Sequence, residues 1–174
     1  MSLSFSRRVY VFVVSVAVAA GLALAVSSGV STPFPGAWGL FSLSLAGFLV
    51  ETSRTKLRSG DASGSLIFMV AIASITLFGP FWGAIVVAIS TFFGQVLRRL
   101  PGIKIAFNVS QHVLSALVAW GTYSLLGGEV LAPILLDLRS MQFGQALILL
   151  GAYLGGALTY FLTNSLAVST VVAL

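Results

Sequence analysis

The chain has 174 residues, of which 58% are hydrophobic and only 7% charged, against roughly 25% charged in an average soluble domain. So few charges could not cover a water-soluble globule, but they suit a surface that faces lipid. The formal net charge of +5 does not point to nucleic acid, because the cations flank apolar segments instead of forming a patch, and the absence of cysteine rules out disulfides and thiolate metal sites.

Arg7 and Arg8 precede the first apolar run, over residues 9–27. The pattern is similar to a secretory signal, but the run exceeds the ~7–15 apolar residues of a signal core. It is expected to be a retained first helix. Pro33 and Pro35 mark a turn, and a short second span follows over residues 37–51. A loop with Arg54, Lys56, Arg58 and Asp61 leads to span three, residues 65–78. Gly79-Pro80 then separates it from span four, residues 81–97, and so tight a connection predicts an antiparallel helical hairpin.

Arg98-Arg99-Leu-Pro101-Gly102 ends span four, and Lys104 opens span five, residues 105–126, which closes at Gly127-Gly128. The segment with Glu129, Pro133, Asp137 and Arg139 is apolar enough in part to lie at the interface. A sixth span over residues 145–166 belongs to an apolar run reaching Leu174. As one helix that run would measure ~45 Å and overshoot the bilayer, so tilt, a kink near Asn164 or a second element is expected. The predicted fold is all-α: one polytopic membrane domain of about six transmembrane helices.

Eight of the nine basic residues fall in three clusters, each two spans apart, and Arg139 alone lies on the other side. The positive-inside rule then puts both termini in the cytoplasm, and a bacterial inner membrane is the expected location. Trp38, Trp82 and Trp120 fall toward the opposite ends of their spans, where aromatic belts sit.

Span five carries Asn108, Gln111, His112 and Ser115 at i, i+3, i+4 and i+7, one helical face. Intramembrane polar groups face a bundle interior or a cavity. Gln95, Glu51 and Asn164 lie near the same cytoplasmic depth, so four helices are expected to share a polar zone. Two readings stand: interhelical hydrogen bonding, or a ligand-sensing, switching network. His112 lacks the neighbours of a metal site. Gly151, Gly155 and Gly156 form a small-residue strip on span six, and Gly83 gives span four a flat patch, both suited to close helix packing. The Asn108-Val-Ser sequon lies within a predicted helix and is discounted. Signature motifs of hydrolases and phosphate-binding loops are missing, and four carboxylates leave little for acid–base chemistry, so no enzyme activity and no cofactor are expected.

The stretch Phe107-Asn-Val-Ser-Gln-His-Val-Leu-Ser-Ala-Leu, the Tyr123-Ser-Leu-Leu-Gly-Gly128 end and Tyr160-Phe-Leu-Thr-Asn-Ser-Leu-Ala resemble the multi-pass membrane region of bacterial HD-GYP and GGDEF signalling proteins. With the Phe-Gly-Pro-Phe-Trp-Gly-Ala hairpin, the resemblance covers about residues 65–174. It implies a sensor module that relays a signal to a cytoplasmic effector domain acting on cyclic di-GMP, of which these 174 residues hold none. The span count and size also look like the substrate-binding component of energy-coupling-factor transporters. That similarity implies capture of a vitamin-type small molecule and docking to a partner membrane subunit. The lipid bilayer, a small-molecule ligand and one of these two protein partners are therefore the expected contacts.

Overall fold

The computed structural model describes residues 7–30, 34–53, 66–131 and 142–174. Pro33, the Arg54–Arg58 cluster with Asp61, and the segment with Pro133, Asp137 and Arg139 lie outside them. Within the described residues there are five helices and no strand: α1 (Arg7–Ser27), α2 (Gly36–Thr52), α3 (Ile67–Leu97), α4 (Gly102–Leu125) and α5 (Phe143–Ala173). By length and composition α1, α3 and α5 are each able to cross a membrane, and α2 is a shorter apolar helix.

α3 does not run straight. Gly79 takes φ 81° and ψ 177°, a conformation open to glycine and costly for other residues, and Pro80 follows it. The consequence shows at Gly47 of α2, where an added Cβ would lie 2.7 Å from Ser90 Cβ and 3.2 Å from Val70 Cγ1. Those two residues are twenty apart and would be separated by ~30 Å along a straight helix. The chain therefore folds back at Gly79, and residues 67–78 lie antiparallel against 80–97. Gly83 makes this reversal tight: a Cβ there would sit 2.5 Å from the Ile75 Cα.

α3 ends in a Schellman arrangement, with Leu100 N–H donating to the Gln95 carbonyl (3.2 Å) and Arg99 N–H to the Val96 carbonyl (2.9 Å). Arg99 occupies the left-handed position, φ 55°, that glycine usually fills. α4 closes the same way: Gly127 has φ 87°, and Gly128 N–H donates to the Tyr123 carbonyl at 2.9 Å. α5 starts on a reciprocal cap between Gln142 and Gln145 and continues unbroken through Asn164. At 31 residues it is ~46 Å long, so of the alternatives of tilt, a kink near Asn164 or a second element the kink is absent, and the overshoot stands.

α4 is the hub, packed against α1, α3 and α5, while α2 covers the far side of α3. The core joins Ala71, Ile72, Ile75 and Val87 of the hairpin to Ala116, Ala119 and Tyr160. In the apolar stretches of α1 and α5 only 17% of residues are buried, against 56% in α3. Side chains such as Val18, Leu22, Leu154, Leu158 and Phe161 remain exposed. So large an apolar surface is untenable in water and ordinary in a bilayer. Helix packing separates the polar signals as well. Arg7, Arg8, Arg98, Arg99 and Lys104 occupy one end, whereas Phe34 meets Trp82 at the hairpin tip, centroids 5.0 Å apart, at the other.

Replacing Gly83 by valine should lower the thermal unfolding midpoint of the detergent-purified protein, by the ~1–3 kcal/mol typical of overpacking or more. Gly151 has open space around it, so Gly151→Ala should leave the midpoint unchanged. Equal midpoints for the two variants would contradict the tight hairpin.

Candidate functional site

Within the half of the bundle that carries the basic residues, polar side chains from three helices are joined in a row. Gln95 Nε2 donates to Glu51 Oε1 at 3.2 Å, and Asn108 Nδ2 donates to Gln95 Oε1 at 3.0 Å. Glu51 and Gln95 are fully buried, and Asn108 is half-buried. Gln95 is the node, its one amide serving as donor to α2 and as acceptor from α4. Local structure brings it there. Gly94, directly before it, leaves room for the Glu51 side chain, whose Cγ would lie 2.5 Å from any Cβ at position 94. Ser90, one turn earlier, donates to the Ser44 carbonyl at 3.0 Å and ties α2 to α3 a second time.

One turn deeper, His112 Nδ1 and the Tyr160 hydroxyl are 2.7 Å apart, their rings stacked at 12° with centroids 6.2 Å apart. Which atom carries the proton depends on the histidine tautomer. Around this pair several buried oxygens have no hydrogen-bond partner: Gln111 Oε1, Ser115 Oγ, Thr91 Oγ1 and Asn164 Oδ1, with Ser74 Oγ further up the hairpin. A buried polar atom left unpaired costs ~1–3 kcal/mol, and such atoms are where internal water or a ligand hydrogen-bonds. Their levels follow from helix packing. Gly156 faces Ala119, Tyr160 faces His112, and Ala167 and Val171 pack beside Phe107 and Ile103. That antiparallel register sets Asn164 level with residues 108–112.

Of the six residues singled out for a polar network, Gln95 and Asn108 are bonded to each other. His112 is engaged by Tyr160, Gln111 and Ser115 point buried oxygens into the same interior, and Asn164 lies at their level. Glu51 terminates the row. Tyr160 was absent from the sequence-based set. Its sequence signal is a hydroxyl four residues before Asn164 on the same helix face, which composition alone does not separate from an interfacial anchor. The packing glycines divide. Gly83, Gly155 and Gly156 pack inside the chain, on Ile75, Leu126 and Ala119 respectively, whereas Gly151 touches nothing within 4 Å. No cluster of three potential metal ligands exists among the described residues. No family model matches the chain, and neither a curated protein nor a solved structure matches it.

Interhelical side-chain bonds in a membrane average ~0.6 kcal/mol, but Gln95 serves two partners. Gln95→Leu should therefore destabilise the protein more than Asn108→Leu, and the double variant should cost less than the sum. Additive losses in a thermal-unfolding double-mutant cycle would show that the two amides are not coupled.

Proposed function

We propose that this chain is a six-span signal-input module of the bacterial inner membrane, with both termini in the cytoplasm, relaying a small-molecule or membrane signal to a cytoplasmic output. The reading rests on one observation: a buried hydrogen-bonded row, Glu51–Gln95–Asn108, bordered one turn deeper by unpartnered oxygens on Gln111 and Asn164. A purely structural polar core would pair its groups, since each unpaired one is a net cost. Groups left unpaired beside a bonded row suit a network that rearranges when a new partner arrives.

Three further features support the topology. The fold-back at Gly79 makes α3 a re-entering pair, which we read as two of the six spans, the described basic residues gather at one end, and the tryptophans gather near the other. The resemblance to membrane regions of HD-GYP and GGDEF proteins suggests cyclic di-GMP metabolism as the output. In this scheme Gln111 and Asn164 accept hydrogen bonds from the arriving signal, and Gln95 transmits the change between α2 and α4.

The test is complementation. In a strain lacking the gene, restoring it should shift the cellular cyclic di-GMP level, and Gln111→Leu should abolish the shift while membrane abundance stays unchanged. Indistinguishable levels with and without the gene would refute the assigned output. For topology, a periplasm-active reporter fused after residue 104 should be silent, and the same reporter after residue 130 should be active.

A further inference from the structure

A second feature at the basic end lies outside the polar row. α1, α4 and α5 enclose a cleft of about 320 Å³, within the size range of small-molecule sites. Its walls are Val9 and Val13 of α1, Ile103 and Phe107 of α4, and Val168 and Val171 of α5. Two polar side chains join them: Lys104, exposed at the end, and Asn108, deeper along the same helix. Arg7 and Arg8, both exposed, immediately precede the Val9 wall. Among the described residues no carboxylate lines the cleft.

We propose that this cleft binds one anionic phospholipid. An acyl chain lies between the valines and Phe107, and the headgroup phosphate sits on Lys104 with Arg7 and Arg8 nearby. The argument is complementarity on two scales. Six apolar side chains exclude a free phosphate or sugar phosphate as occupant, since such a ligand would lose its hydration against them. A cationic rim without a carboxylate selects a negative headgroup over a zwitterionic one, as basic pockets between membrane helices do. The dimensions agree, because Lys104 and Asn108 are one turn apart, ~6 Å along α4. A phosphate at Lys104 therefore leaves Asn108 level with the ester linkages, where its side-chain NH2, which donates to Gln95 and carries two N–H groups, meets ester oxygens that accept. The site needs only that α1, α4 and α5 sit in a bilayer. It does not depend on the signalling role proposed above, and no signalling readout enters its test.

The full chain, purified from membranes and exchanged into nanodiscs of mixed phosphatidylglycerol, phosphatidylethanolamine and phosphatidylcholine, is released for native mass spectrometry. Phosphatidylglycerol should be retained preferentially as a one-to-one adduct, and soluble glycerol phosphate should not displace it. Lys104→Gln should reduce that retention about fivefold, the effect of one lysine near an anionic surface. Arg98→Gln removes the same charge outside the cleft and should leave retention unchanged. Val171→Trp fills the cleft at constant charge and should abolish the adduct. Equal retention of the three lipids, or unchanged retention in Lys104→Gln, overturns the proposal. A persistent adduct in Val171→Trp also overturns it, because charge alone would then be holding the lipid. Should the tryptophan variant not fold, Lys104→Gln alone decides, since that side chain is exposed and supports no packing.

Discussion

The buried polar row depends on the missing side chain of Gly94. Glu51 ends α2 with its carbon stem against the α3 backbone, and a methyl group at position 94 would occupy the space of that stem. Without that close approach Gln95 would have no carboxyl partner on α2, and Asn108 would bond to an amide anchored on one side only. Gly47 and Gly83 impose the same constraint at two other levels, against Ser90 with Val70 and against Ile75. Backbone proximity matters more in lipid than in water, because burial from one apolar medium into another drives little association. Dispersion contacts between backbones and a few hydrogen bonds must then hold α2 to the hairpin. Gly47 and Gly94 supply the first, Gly83 plays the same part between the two halves of the hairpin, and Ser90 and Gln95 supply the second.

Two populations of buried polar atoms follow from this geometry. Those nearest the basic end are paired in sequence, α2 to α3 to α4. Those one turn deeper are crowded by α5 and include oxygens without partners. α5 explains the difference. It meets α4 through Gly155 and Gly156, close enough to bury Gln111 and the Asn164 Oδ1, and His112 and Tyr160 are joined across the seam while those two oxygens are not. The α4–α5 seam is thus well packed but incompletely bonded, and the α2–α3 seam is both packed and bonded. Of the two, α4–α5 is where an added hydrogen-bond partner would gain most.

Much of this arrangement is legible in the sequence, for reasons that are specific. The 3.6-residue period puts Asn108, Gln111, His112 and Ser115 on one face whatever the helix packs against. Gly79-Pro80 announces a break because proline cannot continue the preceding hydrogen-bond ladder and glycine supplies positive φ. Pairing is less legible. Nothing in the spacing of Gln95 and Glu51 shows that they meet, since residues 44 apart are joined by the crossing of α2 and α3 and by the size of residue 94. Tyr160 was missed because a tyrosine in an apolar run has an ordinary interfacial explanation. The uninterrupted α5 was one of three alternatives that the sequence left open. Asn164 disfavours a helix interior only slightly, and the cap at Gln142 and Gln145 commits the segment from its start.

Asn108 connects the two features that would otherwise be separate. It is half-buried because one side of it forms the wall of the lipid-sized cleft and the other donates to Gln95. What occupies the deeper part of the cleft meets this amide directly, for Lys104 sits at the rim and the other lining side chains are apolar. The row beyond it is short: two hydrogen bonds reach Glu51 at the end of α2. Coupling over that distance needs no long pathway, only an amide with one donor group shared between two demands. If Asn108 turns toward the cleft, the Gln95 carbonyl loses its donor in a buried setting, and that loss favours reorientation of Gln95 and release of Glu51. An occupant of the cleft that competed for the Asn108 amide would therefore be coupled to the bonded row, each biasing the other by the same free energy.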